Sequence, residues 1–332
     1  MSERAGGVAA ESGVDVGPED AGGALPDEAS AVDPSEAFAP LGNETRVRVL
    51  AALLSPEGEE GVGNEVAPRT RTFSELFEAS GADTTAGFAY HLRQLTDHYL
   101  REVEGGYTFT DAGLRVARAI VSGAYTDSVD RDPVPVGDPC PFCDGETLVA
   151  GAADNTVAVS CTACERDVLS LSFPPGGHRS HDDDSLPAAF DRLHRHRVAL
   201  MTRGSCPECG GASDSRVEYA REEGDEMDDD ADPSRPVRLE LECAACGYAM
   251  RCPVTLAVLD HPAVVSFYHD HSVDVRERPI WNVGPEWTEG VLSDDPWCVR
   301  VATELDGDGL ELLVGADGSV VEYEEYAAGT AS

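Results

Sequence analysis

Apolar residues first recur at helical spacing beyond Asn43, where Val47, Leu50, Leu53 and Leu54 share one face of a helix that Asn43 can cap. Residues 55–71 read as a loop holding Pro56, Gly58, Gly61, Gly63 and Pro68. Thr72-Phe73-Ser74-Glu75 then forms a capping box that opens a short helix through Leu76 and Phe77, ending near Gly81. A third helix starts at Asp83 or Thr84 and buries Phe88, Leu92 and Leu95 at i, i+4, i+7. Residues 100–104 and 107–110 predict two short strands around the turn pair Gly105-Gly106. A last helix from Asp111 carries Leu114, Val116, Ala117 and Ile120. Helix, helix, helix, hairpin, helix is the order of a winged helix-turn-helix.

From Pro133 the pattern changes to short β runs around cysteine pairs. Residues 147–150, 157–161 and 168–173 predict strands, followed by a polar loop and a helix over 186–201. A second β region spans 206–259 and contains 222–232, where eight of eleven residues are acidic, a solvated loop between strands. Residues 261–271 predict a helix. Strands follow at 297–303, 310–314 and 319–323, with turns at Asp306-Gly307-Asp308-Gly309 and Asp317-Gly318. Residues 1–35, rich in Gly, Ala, Asp and Glu and lacking aromatics, form a disordered acidic leader. The expected class is α+β, divided as leader 1–35, winged helix 36–127, a first zinc-ribbon region with its helix 133–202, a second 203–274, and a small β region 275–332.

Eight of the ten cysteines form four C-x-x-C pairs, Cys140/Cys143, Cys161/Cys164, Cys206/Cys209 and Cys243/Cys246. Two such knuckles on neighbouring hairpin turns place four thiolates at the corners of a tetrahedron, which suits a zinc ion at ~2.3 Å. Gly210 and Gly247, just past the second cysteine, let the turn tighten so that backbone N–H groups point at sulfur. Two complete four-cysteine sets leave no open coordination position, so two structural zinc ions are expected rather than a catalytic one. Iron–sulfur ligation is the chemical alternative. A redox role would place C-x-x-C at the start of a helix in a thioredoxin-like fold, and no such βαβ pattern exists here. Cys252 and Cys298 fall in apolar strands and read as core. His194, His196, His269 and His271 lack a third placed ligand.

Charge adds the setting. The 332 residues carry 24 basic side chains, all Arg, against 63 acidic ones, a net charge of −39. Hydrophobic content of 41% is ordinary for a globular chain. An acidic surface without lysine suits a cytosol of molar salt, where charge is screened within ~3 Å. Residues 36–125 hold 13 acids and 8 Arg, whereas residues 126–332 hold 42 and 15. No run approaches the ~18 apolar residues of a membrane span, and the N-terminus lacks a secretion signal, so a cytoplasmic protein is expected. No phosphate-cradling Gly loop, nucleophile elbow or open metal site supports an enzyme.

Residues 41–126 resemble the ArsR-like winged-helix repressors, in particular a group from halophilic archaea. The carrying residues are Leu41-Gly42-Asn43-Glu44-Thr45-Arg46, Phe73-Ser74-Glu75-Leu76, Phe88-Ala89-Tyr90-His91-Leu92 with Leu95, and Gly106-Tyr107 with Thr110 and Gly113. Some halophilic relatives carry cysteine-pair regions after the winged helix, as here. The resemblance implies that the third helix enters the DNA major groove with Thr84, Thr85, Ala86, Ala89, Tyr90 and Arg93 facing the duplex. Arg101 and the hairpin tip would lie over the minor groove. It also implies a homodimer built on the first and last helices. Residues 84–98 contain no cysteine, so the metal-sensing route of that family is disfavoured. The expected function is a DNA-binding transcriptional regulator. The alternative is an interaction protein of the transcription machinery, resembling archaeal transcription factor E, with the zinc ribbons as binding modules for RNA polymerase.

Overall fold

The computed structural model describes residues 32–54, 70–220 and 236–327. It is a mixed α/β structure with four antiparallel sheets, divided into compact units 1–118 and 119–332. The expected loop at 55–69, the acidic run at 222–232 and leader residues 1–31 lie outside the described residues.

In the first unit, Asp33 caps helix α1 (Pro34–Phe38), so helix begins inside the stretch expected to be leader. Helices α2 (Glu44–Leu54), α3 (Phe73–Ser80) and α4 (Thr85–Leu95) follow, then strands β1 (Leu100–Val103) and β2 (Gly106–Phe109) and helix α5 (Asp111–Ser122). Local chemistry fixes these ends. Thr72 N–H donates to Glu75 Oε2 at 2.7 Å while Glu75 N–H donates to Thr72 Oγ1 at 3.3 Å, closing the capping box. Gly81 ends α3 at φ 68°. Val49, Leu50, Leu53, Leu76, Phe88, Leu92 and Leu95 are buried together. Phe88 lies 4.8 Å from the Phe73 ring and 5.5 Å from Phe77.

The hairpin differs from expectation by one residue. Val103 pairs with Gly106, so the loop is Glu104-Gly105 and Gly106 belongs to β2. The reason is a strand neighbour that the apolar pattern does not reveal. Arg71 N–H donates to Tyr107 O at 3.0 Å, and Tyr107 N–H to Arg71 O at 2.9 Å. At φ 150°, a Cβ on Gly106 would sit 2.1 Å from Arg71 O. Only glycine lets the two backbones approach this closely.

The second unit holds two cysteine-bearing sheets. One has the order β3 (Arg131–Pro135), β4 (Leu148–Ala153), β5 (Thr156–Cys161), β6 (Asp167–Ser172). The other has β7 (Ser213–Tyr219), β8 (Val237–Cys243), β9 (Ala249–Cys252). Between them run α6 (Pro175–Ser180) and α7 (Leu186–Thr202), and after them α8 (Val254–Val258) and α9 (Pro262–Asp270). A last meander comprises β10 (Thr288–Asp294), β11 (Trp297–Leu305), β12 (Asp308–Gly315) and β13 (Val320–Tyr326).

Two cores meet on one helix. Leu186, Ala189 and Phe190 at the start of α7 belong to the core of the first sheet, with Leu148, Val157 and Val159. Val198 and Met201 at its end belong to the core of the second, with Leu239, Leu241 and Val254. The second core also takes in Val299, Val301, Leu310 and Leu312 of the meander, so residues on either side of 275 share one interior. The chain before the meander turns back to the first sheet. Trp281 stacks at 6.4 Å on Phe190 and donates its Nε1–H to Asp138 at 3.1 Å.

Candidate metal centres and an exposed helix face

Four knuckles repeat a single backbone pattern. The first cysteine of each donates its N–H to the carbonyl five residues on, Cys140 to Gly145, Cys161 to Arg166, Cys206 to Gly211 and Cys243 to Tyr248, each at 2.9 Å. The N–H four residues on returns to its carbonyl, from Asp144, Glu165, Gly210 and Gly247 at 2.9–3.0 Å. That returning residue is left-handed in every knuckle, with φ of 55°, 58°, 75° and 72°. Glycine was expected there only at 210 and 247. Asp144 and Glu165 take the same conformation without it, at the strain cost a side chain carries in that region.

The knuckles converge in pairs. Cys140, Cys143, Cys161 and Cys164 form one cluster, and Cys206, Cys209, Cys243 and Cys246 the other, with all sulfurs of a set within 4.8 Å. Closest sulfurs are 3.8 Å apart for Cys140/Cys164, 3.7 Å for Cys143/Cys161, and 3.6 Å for both Cys206/Cys246 and Cys209/Cys243. A disulfide needs about 2.0 Å. Four thiolates at ~2.3 Å from a central ion stand about 3.8 Å apart in a tetrahedron, so the donor sets fit a tetrahedral metal. In each cluster the first cysteines of both knuckles, Cys140 with Cys161 and Cys206 with Cys243, are buried, while Cys143, Cys209 and Cys246 are exposed.

Donors around the sulfurs favour the charged form metal binding requires. Thr147 Oγ1 lies 3.2 Å from Cys161 Sγ, and that contact, helped by Cys164 N–H at 3.5 Å, pulls the Cys161 thiol down to about 6. At Cys206 burial pushes upward, but the N–H groups of Cys209 and Glu208 outweigh it and bring the thiol to about 7. Four crowded thiols cannot all ionise unaided. Gly145 N–H lowers Cys143, yet burial and the neighbouring sulfurs drive it up to about 12. Cys246 likewise reaches about 12 despite Tyr248 N–H. A divalent ion supplies the charge that lets every member of a set ionise.

The remaining candidates stand apart from these centres. Burial, with Glu289 nearby, pushes Cys252 up to about 12, and Cys298 is half-buried in β11. His194 is buried, with Nε2 3.1 Å from Ser172 O, and burial pulls it down to about 4. His196 and His269 are exposed, and His271 Nδ1 pairs with Phe267 O at 2.8 Å. None of these joins a metal cluster among the described residues.

Helix α4 buries Phe88, Leu92 and Leu95, which leaves Thr84, Thr85, Ala86, Tyr90 and Arg93 exposed and Ala89 half-buried. Thr84 is the N-cap, its Oγ1 accepting from Gly87 N–H at 3.1 Å, so part of its hydrogen-bonding capacity serves the helix. Arg101 is exposed on β1.

Fold and site thus define a chain whose larger unit is organised around two four-cysteine clusters that could each hold a metal ion. The model of a domain family of unknown function, DUF7351, matches residues 137–320, and the chain belongs to that family. Residues 34–120 match the model of a second domain of unknown function, DUF7347. No curated protein and no solved structure matches the chain.

Proposed function

We propose that this protein is a DNA-binding transcriptional regulator in which residues 34–120 form a winged helix-turn-helix and the two cysteine clusters hold structural zinc. The observation that carries the reading is α4. Its inner face is buried at Phe88, Leu92 and Leu95, while its outer face offers hydroxyl, phenol and guanidinium groups from Thr85, Tyr90 and Arg93. Neither Arg93 nor Arg101 forms an ion pair among the described residues, so both guanidinium groups are available to bases or phosphates. The reciprocal bonds between Arg71 and Tyr107 add a third strand position to the hairpin, which steadies the wing. Val121 on the last helix and Tyr125 just beyond it, 51% and 88% exposed, supply apolar surface for a homodimer. The all-thiolate donor sets and their tetrahedral sulfur spacing support zinc as the ion.

Selection of bound duplexes from a random DNA pool in molar KCl tests the reading. Enrichment of a palindromic motif is expected. A pool without enrichment, alongside stable capture of RNA polymerase, would instead favour the transcription-machinery role.

A further inference from the structure

Between the two cysteine-bearing sheets of the second unit lies a cavity of about 580 Å³ that neither metal centre uses. Its walls come from both halves: Phe142 of the first knuckle, Leu169 and Leu171 of β6, Val198 of α7, and Trp281 and Trp287 of the returning segment. Most of this lining is apolar, and three aromatic rings belong to it.

Its charge is mixed: Arg251 and Glu289 belong to the lining, and the Arg166 guanidinium lies 5.2 Å from the centroid of the Phe142 ring. Arg251 lines the cavity, but Glu240 Oε1 holds its guanidinium, at 3.2 Å from Nε and 2.9 Å from a terminal nitrogen. His194 and Cys252, also in the lining, are held neutral by burial. Glu289 is different. Its Oε1 accepts from Thr255 N–H at 2.7 Å and Oγ1–H at 2.6 Å, and the carboxylate forms no ion pair among the described residues. Glu289 is exposed on β10 as a whole residue, while desolvation of its carboxyl raises it above the ordinary value, a cost that a cationic neighbour would relieve. Two lining residues also keep buried polar atoms without partners, Nδ1 of His194 and Nε1 of Trp287.

We infer that this cavity is a binding site for a small organic cation, an amine or quaternary ammonium with an apolar body, held by the Glu289 carboxylate and the aromatic lining. Aromatic faces attract cations through their quadrupole, and a carboxylate without an ion pair in a largely apolar lining favours positive over neutral or negative ligands. The inference concerns the second unit alone and stands whether or not α4 reads DNA.

Two of the chain's three tryptophans, Trp281 and Trp287, line the cavity, so intrinsic fluorescence reports its occupancy. Titration of the full-length, metal-loaded protein in molar KCl would use benzyltrimethylammonium, with benzyl alcohol and phenylacetate as neutral and anionic counterparts. The cation is expected to give a saturable change and to bind at least about tenfold tighter than either counterpart. Glu289→Gln keeps a carbonyl oxygen for Thr255 but removes the charge, and should weaken the cation about tenfold or more. Ser170→Lys, at an exposed β6 position in the lining, brings an ammonium of the protein's own and should do the same. If Glu289→Gln lowers the melting temperature, Ser170→Lys alone decides. A flat titration of the native protein, a counterpart that binds as tightly as the cation, or a folded variant that binds like the native chain would each overturn the assignment.

Discussion

Arg93 and Phe88 sit five residues apart on α4 and face opposite ways, so truncating each to alanine should produce opposite phenotypes. Arg93→Ala removes an exposed guanidinium, and the expected outcome is a loss of about 1–3 kcal/mol in binding to a selected site, with an unchanged melting curve. Phe88→Ala leaves a hole beside Phe73 and Phe77 and should cost about 3–5 kcal/mol of stability. Unaltered DNA affinity for both Arg93→Ala and Thr85→Ala would remove α4 from the recognition role. His194 offers a pH signature in the second unit. Burial holds its folded pKa near 4 against an ordinary 6.5, so the folded state resists protonation that the unfolded state accepts. Its neutral-state stability is therefore complete above pH 6.5 and is lost progressively as pH falls toward 4, by roughly 3 kcal/mol in all. Melts of the native chain and His194→Gln, both metal-loaded, should converge as pH drops from 7 to 5. A constant gap between them would place the proton elsewhere.

At the scale of elements, the two cysteine-bearing sheets are joined by α7, with Phe190 in one core and Val198 in the other. Cys143→Ser removes one ligand of the first cluster, and structural zinc contributes roughly 10–16 kcal/mol to folding in small peptides. Loss of that centre strips α7 of half its support, so the whole of 119–332 should unfold early in one transition, while 36–118 stays folded. Calorimetry and elemental analysis check this together. With two zinc equivalents in the native chain, a second centre that survives alone in Cys143→Ser would sink the coupling.

The same elements show what the residues announce by themselves. Thr72 to Glu75, Gly81 and the four C-x-x-C pairs act through contacts within a few positions, and each was readable from spacing. Strand β3 was not, because Arg131-Asp132-Pro133-Val134-Pro135 has neither strand propensity nor alternation and pairs only because β4 lies beside it. Gly176-Gly177 likewise weaken the first turn of α6, although Pro175 suits its first position. The bridge from Arg71 to Tyr107 and the return of Trp281 to the first sheet depend on partners distant in sequence, which no local pattern encodes. The cavity beside Glu289 is a product of that same long-range assembly.

For the whole molecule, the net charge of −39 sets the working conditions. Screening lengths fall from about 10 Å at 0.1 M salt to about 3 Å at 1 M. Acid–acid repulsion should therefore relax steeply over that range, and melting temperatures are expected to rise with KCl. The rise should be larger for the second unit, because residues 126–332 hold 42 acids against 15 Arg. Equal stability at both salt levels would show that the acidic surface is not self-repelling. Light scattering in molar KCl reports the assembly at once. A dimer is expected, and a monomer across a wide concentration range would remove the role given to Val121 and Tyr125.

The sharing of α7 also gives the chain a direction in time. During synthesis the chain from Cys140 to Cys164 is complete before Cys206 is added, so the first cysteine set exists before the second. An ion taken up by the first set would let its sheet form early, with α7 and Phe190 following as the chain lengthens. The second set, complete only at Cys246, would then close on a partner already in place. Replacing a cysteine of the early set should thus slow acquisition of the second ion during translation more than the converse replacement slows the first.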